Sequence, residues 1–186
     1  MKIDELIQDA TRRMDRSVES AHGDFNTLRT GRASTALLDR VQIDYYDQKT
    51  PLNQLATINV PEPRLLTIQP FDPNSVSAIE RAIQESDLGL TPSNDGKVIR
   101  LPIPQLTEER RKELVRVVRQ MAEDGRIAVR NVRRDVMHHL KELVTKGEVG
   151  DDEERRAEER VQKLTDDHTH KIDDLLKHKE AEILEV

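Results

Sequence analysis

The chain has 186 residues, 35% of them hydrophobic and 35% charged, with a formal net charge of −6, no cysteine, and only two tyrosines and two phenylalanines as aromatics. The lack of cysteine excludes disulfides and thiolate metal sites and suits a reducing cytosol, and no apolar run approaches the roughly 20 residues a membrane span needs. With rings only at Phe25, Tyr45, Tyr46 and Phe71, elongated helices with aliphatic seams suit this composition better than a wide globular core.

Ile3, Leu6, Ile7, Ala10, Met14, Val18, Ala21, Phe25 and Leu28 recur in steps of three and four, which predicts a first helix from about Lys2 to Leu28. It opens on acids and an amphipathic pattern, unlike a signal or transit peptide. At its end stands Leu28-Arg29-Thr30-Gly31-Arg32. Glycine just past a helix and arginine near its last carbonyls form a common stop signal. The same glycine can be a hinge, and Arg29 and Arg32 beside it can meet an anion.

From about Thr30 to Leu106 the chemistry changes, and all eight prolines fall here. Arg40 to Asp47 alternates apolar and polar residues, and Asp47-Gln48-Lys49-Thr50-Pro51 reads as a turn. Thr57–Val60 and Leu65–Phe71 read as strands around Pro61-Glu62-Pro63. Asp72-Pro73-Asn74-Ser75 opens a short helix through about Ser86, and Ser93-Asn94-Asp95-Gly96 is a hairpin turn leading to a strand over Lys97–Ile103. A second long helix starts at Thr107, an N-cap followed by Glu108 and Glu109, and runs to about Lys146. Gly147-Glu148-Val149-Gly150 breaks it, Asp151 or Asp152 caps a third, and Ala157, Val161, Leu164, His168, Ile172, Leu175 and Ile183 form its seam.

Three long helices, each with an apolar stripe, predict a three-helix bundle. The fold class is α+β: an elongated bundle of residues 1–29 and 107–186, with a small α/β head of residues 30–106 inserted between its first and second helices. The head hangs on two linkers, Thr30-Gly31 on one side and Pro102 with Pro104 on the other, so it tilts without wandering.

Charge is unevenly placed. Residues 107–146 carry 11 basic and 7 acidic side chains, whereas residues 147–186 carry 7 basic and 14 acidic ones. On a helical wheel the second long helix gathers Leu114, Val118, Met121, Gly125, Ala128, Val132, Val136 and Leu143 on one side. Lys112, Arg116, Arg119, Arg126, Arg130, Arg133, Arg134 and Lys141 fall on the other, with Glu123 the one acid centred among them. A solvated face normally mixes signs at i,i+4, whereas Arg126, Arg130 and Arg134 are like-charged neighbours that cost a few tenths of a kcal/mol per pair. This predicts a polyanion outside. The planar guanidinium fits phosphate oxygens, and too few rings exist for a single-strand stacking platform, so structured nucleic acid gripped by its backbone is the expected ligand. Gly125, mid-helix on the apolar side, predicts close approach of a neighbouring helix.

The histidines do not form a metal site, and His168 on the seam reads as a satisfied bundle residue. No GxxxxGK[ST] loop, GxSxG or HExxH is present, so an enzyme is not expected, nor a bound nucleotide, cofactor or metal.

"LRTGRAS" (Leu28–Ser34), "TPLNQLA" (Thr50–Ala56), "SNDGKVIRLPIPQLTEERRKEL" (Ser93–Leu114) and "VRNVRRD" (Val129–Asp135) together make the chain resemble the ribosome recycling factor family over essentially its full length. The resemblance implies an L-shaped bundle-and-head molecule that binds the post-termination ribosome as a cytoplasmic monomer. It implies action with elongation factor G and GTP, the partner being the GTPase, to separate the subunits and free mRNA and deacylated tRNA. It carries the rRNA-binding role on the large subunit to Arg130, Arg133 and Arg134, and to Arg29 and Arg32 at the turn; Arg126 joins them from the wheel. Asp47-Gln48-Lys49 stands where the family often has a glycine-containing turn. A protein-only helical scaffold and a general RNA chaperone are the rival readings.

Overall fold

The computed structural model describes residues 2–185. In chain order the elements are α1 (Ile3–Asn26), β1 (Gln42–Tyr45), β2 (Gln48–Pro51), β3 (Ala56–Glu62), β4 (Leu65–Pro70), α2 (Val76–Glu85), β5 (Ser93–Asn94), β6 (Ile99–Pro102), α3 (Glu108–Thr145) and α4 (Asp151–Leu184). The chain separates into two compact units, one made of residues up to Phe25 and from Lys112 onward, the other of Asn26–Arg111.

The first unit is helical. Met14, Ala21 and Phe25 of α1, Val118, Val129 and Val136 of α3, and Val161 and Ile172 of α4 are buried, at the three- and four-residue steps that bring one helix face inward. Ala122, Val129 and Leu140 are buried as well, whereas Met121, Ala128 and Leu143 are only half-buried. The seam of α3 is therefore displaced from the expected one towards the side on which Arg126 lies. Thr107 caps α3 as its position suggested, its Oγ1 accepting the Arg110 N–H at 3.1 Å. The helix ends in a Schellman arrangement: Gly147 N–H donates to Val144 O and Glu148 N–H to Leu143 O, with Gly147 at φ +72°. The cap of α4 is Gly150, not Asp151 or Asp152, and these acids stand in the first turn beside Glu153 and Glu154. There they meet the partial positive charge of the helix N-terminus without making a side-chain cap. His168 is 3% exposed, with Nδ1 2.7 Å from Leu164 O and Nε2 2.7 Å from Asp15 Oδ1, so each ring nitrogen faces an acceptor inside the unit.

The second unit holds a four-stranded antiparallel sheet in the order β3-β4-β6-β5 and a separate β1–β2 hairpin. Its core joins Ile43, Leu52, Leu66, Ile68, Ile99 and Leu101 to Ile79 and Ile83 of α2. Leu37 and Leu38 also enter this core from a 3₁₀ turn, Thr35–Leu38, whose N-cap Ser34 accepts the Ala36 N–H. Three local expectations are corrected. The β1–β2 turn is Tyr46-Asp47, because Tyr45 pairs with Gln48 and Gln48–Pro51 is strand rather than turn. Both turn residues have positive φ, 49° and 64°, the twist that two-residue hairpins require. Ser93 and Asn94 pair with Arg100 and Ile99 as a short strand, and the turn is made beyond them, where Asp95 accepts the N–H groups of Lys97 and Val98. Finally, α1 stops at Asn26, well before Gly31, so that glycine is not the helix cap.

Candidate nucleic-acid interface

The arginines of α3 fall into two columns. Arg119, Arg126 and Arg133 are spaced by seven, and at about 3.6 residues per turn such a series keeps to one seam. That seam faces α4. Arg119 Nε lies 2.7 Å from Glu180 Oε1, and Arg126 Nη1 lies 2.6 Å from Asp173 Oδ1. Arg133 Nη1 donates to Gln162 Oε1 at 3.1 Å, and Gln162 Nε2 donates in turn to Asp166 Oδ1. Glu180 and Asp173 are also seven apart, so the antiparallel helices repeat the same contact once per two turns.

Arg126 therefore does not stand on an open face as the wheel suggested. Its side chain is 19% exposed and is held between two carboxylates, with Nε donating to Glu123 Oε2 at 3.0 Å. Burial works against its charge, but the bonds to Glu123 and Asp173 outweigh that and raise its pKa. The wheel misplaced it because a residue about 80° from the centre of the buried stripe flanks the helix–helix contact rather than opposing it.

The outward column contains Arg116, Arg130 and Arg134. Arg130 Nη1 lies 3.2 Å from Glu123 Oε1. Glu123 thus shares one oxygen with each of two guanidiniums, and the bonds from Arg126 and then Arg130 hold its carboxyl below the usual range. Arg116 and Arg134 are exposed and make no ion pair among the described residues. Asp135 turns the other way, to Arg13 of α1 at 2.7 Å, and that bond lowers its pKa. Of this column Arg116 and Arg134 are therefore left open to solvent, while Arg130 is held by Glu123, and Arg133 stands beside them at the helix seam with Gln162.

Arg29 and Arg32 lie in the other unit, and both are exposed. The Arg29 guanidinium covers Gly89, with Nη1 3.4 Å from where a Cβ would stand at that glycine's φ of +67°. Thr30 is 6% exposed, and Gly31, at φ +77°, leaves 3.2 Å between a would-be Cβ and Leu106 Cγ. Gly31 of the first linker therefore lies close to Leu106, two residues beyond Pro104 of the second. Pro102 is not free linker, since it closes β6 opposite Leu65, and Ile103 N–H bonds Arg64 O at 2.8 Å. Pro104 is the first proline beyond the sheet.

Sequence reasoning missed Asp173, Glu180 and Gln162 as partners of the arginines. The signal was the seven-residue spacing of Arg119, Arg126 and Arg133, matched by Asp173 and Glu180. No group of His, Asp or Glu among the described residues is arranged to hold a metal ion, and none of the described helices is long and apolar enough to cross a membrane.

Comparison with known proteins bears on what this arrangement serves. The family described as "Ribosome recycling factor" matches residues 21–184. Curated ribosome-recycling factors from Rubrobacter xylanophilus and Halalkalibacterium halodurans are 57% and 55% identical over 180 and 182 residues, covering 97% and 98% of both chains in each pair. A solution structure of a ribosome recycling factor superposes with a TM-score of 0.83 at 44% identity, covering 100% of this chain and 99% of that one. A second solved structure, of the T. thermophilus ribosome recycling factor with the E. coli elongation factor G on the E. coli post-termination complex, gives a TM-score of 0.71 at 48% identity over 100% of both chains.

Proposed function

The chain belongs to the ribosome recycling factor family, and from that membership we propose that it binds the post-termination ribosome and, with elongation factor G and GTP, separates the subunits so that mRNA and deacylated tRNA leave. It is a translation factor and not an enzyme; GTP hydrolysis belongs to the partner, and its place of action is the cytoplasm. The observation that carries this reading is the near full-length similarity to the Rubrobacter xylanophilus factor, and the outward guanidiniums of α3 supply a physical means of attachment.

Arg130, Arg133 and Arg134 grip phosphates of large-subunit rRNA, with Arg29 and Arg32 adding contacts at the turn. The planar fork of each gives two parallel bonds to phosphate oxygens, shorter and stronger than neutral hydrogen bonds. Arg126 supports the grip from within, by fixing α3 to α4. Residues 1–29 and 107–186 act as a rigid lever, and residues 30–106 as a head that receives force from the GTPase. Thr30 and Gly31, with Pro102 and Pro104 on the returning chain, form the hinge, in which the left-handed backbone of Gly31 is the conformation only glycine adopts freely.

The test is subunit separation by light scattering, with purified ribosomes, elongation factor G and GTP. Omitting either the protein or the GTPase abolishes the signal if the reading is right. A protein-only scaffold would bind ribosomes with little salt dependence, whereas phosphate anchoring weakens steeply between about 50 and 200 mM salt.

A further inference from the structure

Glu123 is an acid in the middle of a face meant for phosphate. Solvation does not account for it, since its two oxygens are divided between Arg126 at 3.0 Å and Arg130 at 3.2 Å. Nor does it join helices, because both arginines stand on its own helix. The tie from Arg126 to α4 is made by Asp173, and an i,i+3 pair on one helix adds little to its stability.

The exposures of the three side chains differ in a way that suggests a role. Arg126 is 19% exposed, whereas Glu123 is 41% and Arg130 is 44% exposed. The carboxylate and the outer guanidinium thus lie at the surface where a phosphate arrives, above an inner guanidinium already fixed from below. We infer that Glu123 is a built-in competitor for Arg130: incoming rRNA phosphate displaces it, so that it limits how tightly the face holds RNA and speeds release. This inference rests on the rRNA-binding reading above.

The exchange is feasible because neither group is orphaned. Glu123 keeps both Nε and Nη2 of Arg126 when Arg130 leaves, and Arg130 trades one anion for another. In the free protein the Glu123 contact holds the Arg130 side chain back along the helix, towards the N-terminus. Giving up an exposed ion pair of this kind weakens the phosphate contact by up to about fivefold. A factor that must leave after each round gains turnover from such a brake.

The experiment compares the full-length wild type with Glu123→Gln and Glu123→Ala, measuring equilibrium binding to vacant ribosomes from 50 to 300 mM salt and subunit splitting with limiting factor. Both variants are expected to bind up to about fivefold tighter at low salt and to turn over more slowly, with melting close to wild type because Asp173 still holds Arg126. In an Arg130→Ala background the gain from Glu123→Gln disappears. Unchanged or weaker binding in properly folded variants overturns the inference, and so does a gain that persists without Arg130, which would make Glu123 a diffuse charge only. If the wild type itself fails to bind or split ribosomes, the rRNA reading falls instead, so the two failures are told apart.

Discussion

Ala21 of α1 and Gly125 of α3 approach so closely that a Cβ on the glycine would lie 3.1 Å from the alanine Cβ and 3.2 Å from Ile172 Cδ1 of α4. Three helices meet at this point, and the glycine is what lets them. Replacing a mid-helix glycine by alanine gains about 1 kcal/mol in helix propensity. Overpacking a tight core costs about 1–3 kcal/mol, and the Ala21 Cβ is fixed to its backbone and cannot rotate away. Gly125→Ala is therefore expected to destabilise the bundle by about 1 kcal/mol in urea melts. Ala21→Gly alone costs about 1 kcal/mol in helix propensity, but the double variant should be less destabilised than the sum of the two single ones, because the contact between the two Cβ atoms is gone. A net stabilisation by the single substitution would show that α1 yields more easily than argued.

This close approach was legible in the sequence, since a glycine on the apolar stripe of an otherwise good helix demands a reason. The three long helices were legible too, because their apolar steps run for many turns and their breaks carry Thr107 and the Gly147–Gly150 segment. Two kinds of feature were not. The exact turn in β1–β2 escaped because Tyr46 is not a residue a positive φ normally selects, so turn chemistry pointed to the following residues. The division of the arginines escaped because a wheel shows one helix alone, and whether Arg126 faces water or Asp173 depends on where α4 lies.

The Tyr46-Asp47 turn carries strain that can be relieved. At Asp47 the φ of 64° is tolerated by aspartate and free for glycine, while other left-handed residues cost roughly 1–2 kcal/mol. Asp47→Gly should stabilise the hairpin by about 0.5 kcal/mol, read as slower amide exchange across the β1–β2 pairs. Tyr46, 79% exposed, remains unchanged in that variant, so its edge-to-face contact with Tyr45 is preserved. Faster exchange would mean that the Asp47 side chain stabilises the turn more than its backbone strains it.

Asp95 predicts a pH dependence. Its carboxylate accepts the Val98 and Lys97 N–H groups and meets Arg100 Nη1 at 3.3 Å, which lowers its pKa to about 2. The folded value lies below the unfolded one, so the folded state releases this proton more readily. The contribution to stability is then fully present above about pH 4, the ordinary aspartate range, and is lost as pH falls towards the folded value. Asp95→Asn should be less stable than wild type at neutral pH, with the difference shrinking between those limits. Carboxyl-carbon NMR of Asp95 locates the midpoint directly; a titration near the ordinary aspartate value would remove the basis of the prediction.

Arg134 and Arg126, two helical turns apart, should fail in opposite ways. Arg134 is exposed and makes no ion pair among the described residues, so Arg134→Glu should change stability by no more than about 0.5 kcal/mol. On a phosphate-gripping face the same change removes one attraction and adds a repulsion. Ribosome binding should fall by about tenfold or more, and the slope of affinity against salt should drop by about one phosphate contact. Arg126 is already engaged by Glu123 and Asp173. Arg126→Met leaves those carboxylates, both partly solvated, without their cation and should lower stability by about 1–2 kcal/mol, less than the loss of a fully buried pair. Binding per folded molecule should change little, with its salt slope intact. Pelleting assays at two salt concentrations, run beside urea melts, separate the outcomes. If Arg126→Met flattens the salt dependence while Arg134→Glu leaves it unchanged, the inner column and not the outer one carries the phosphates.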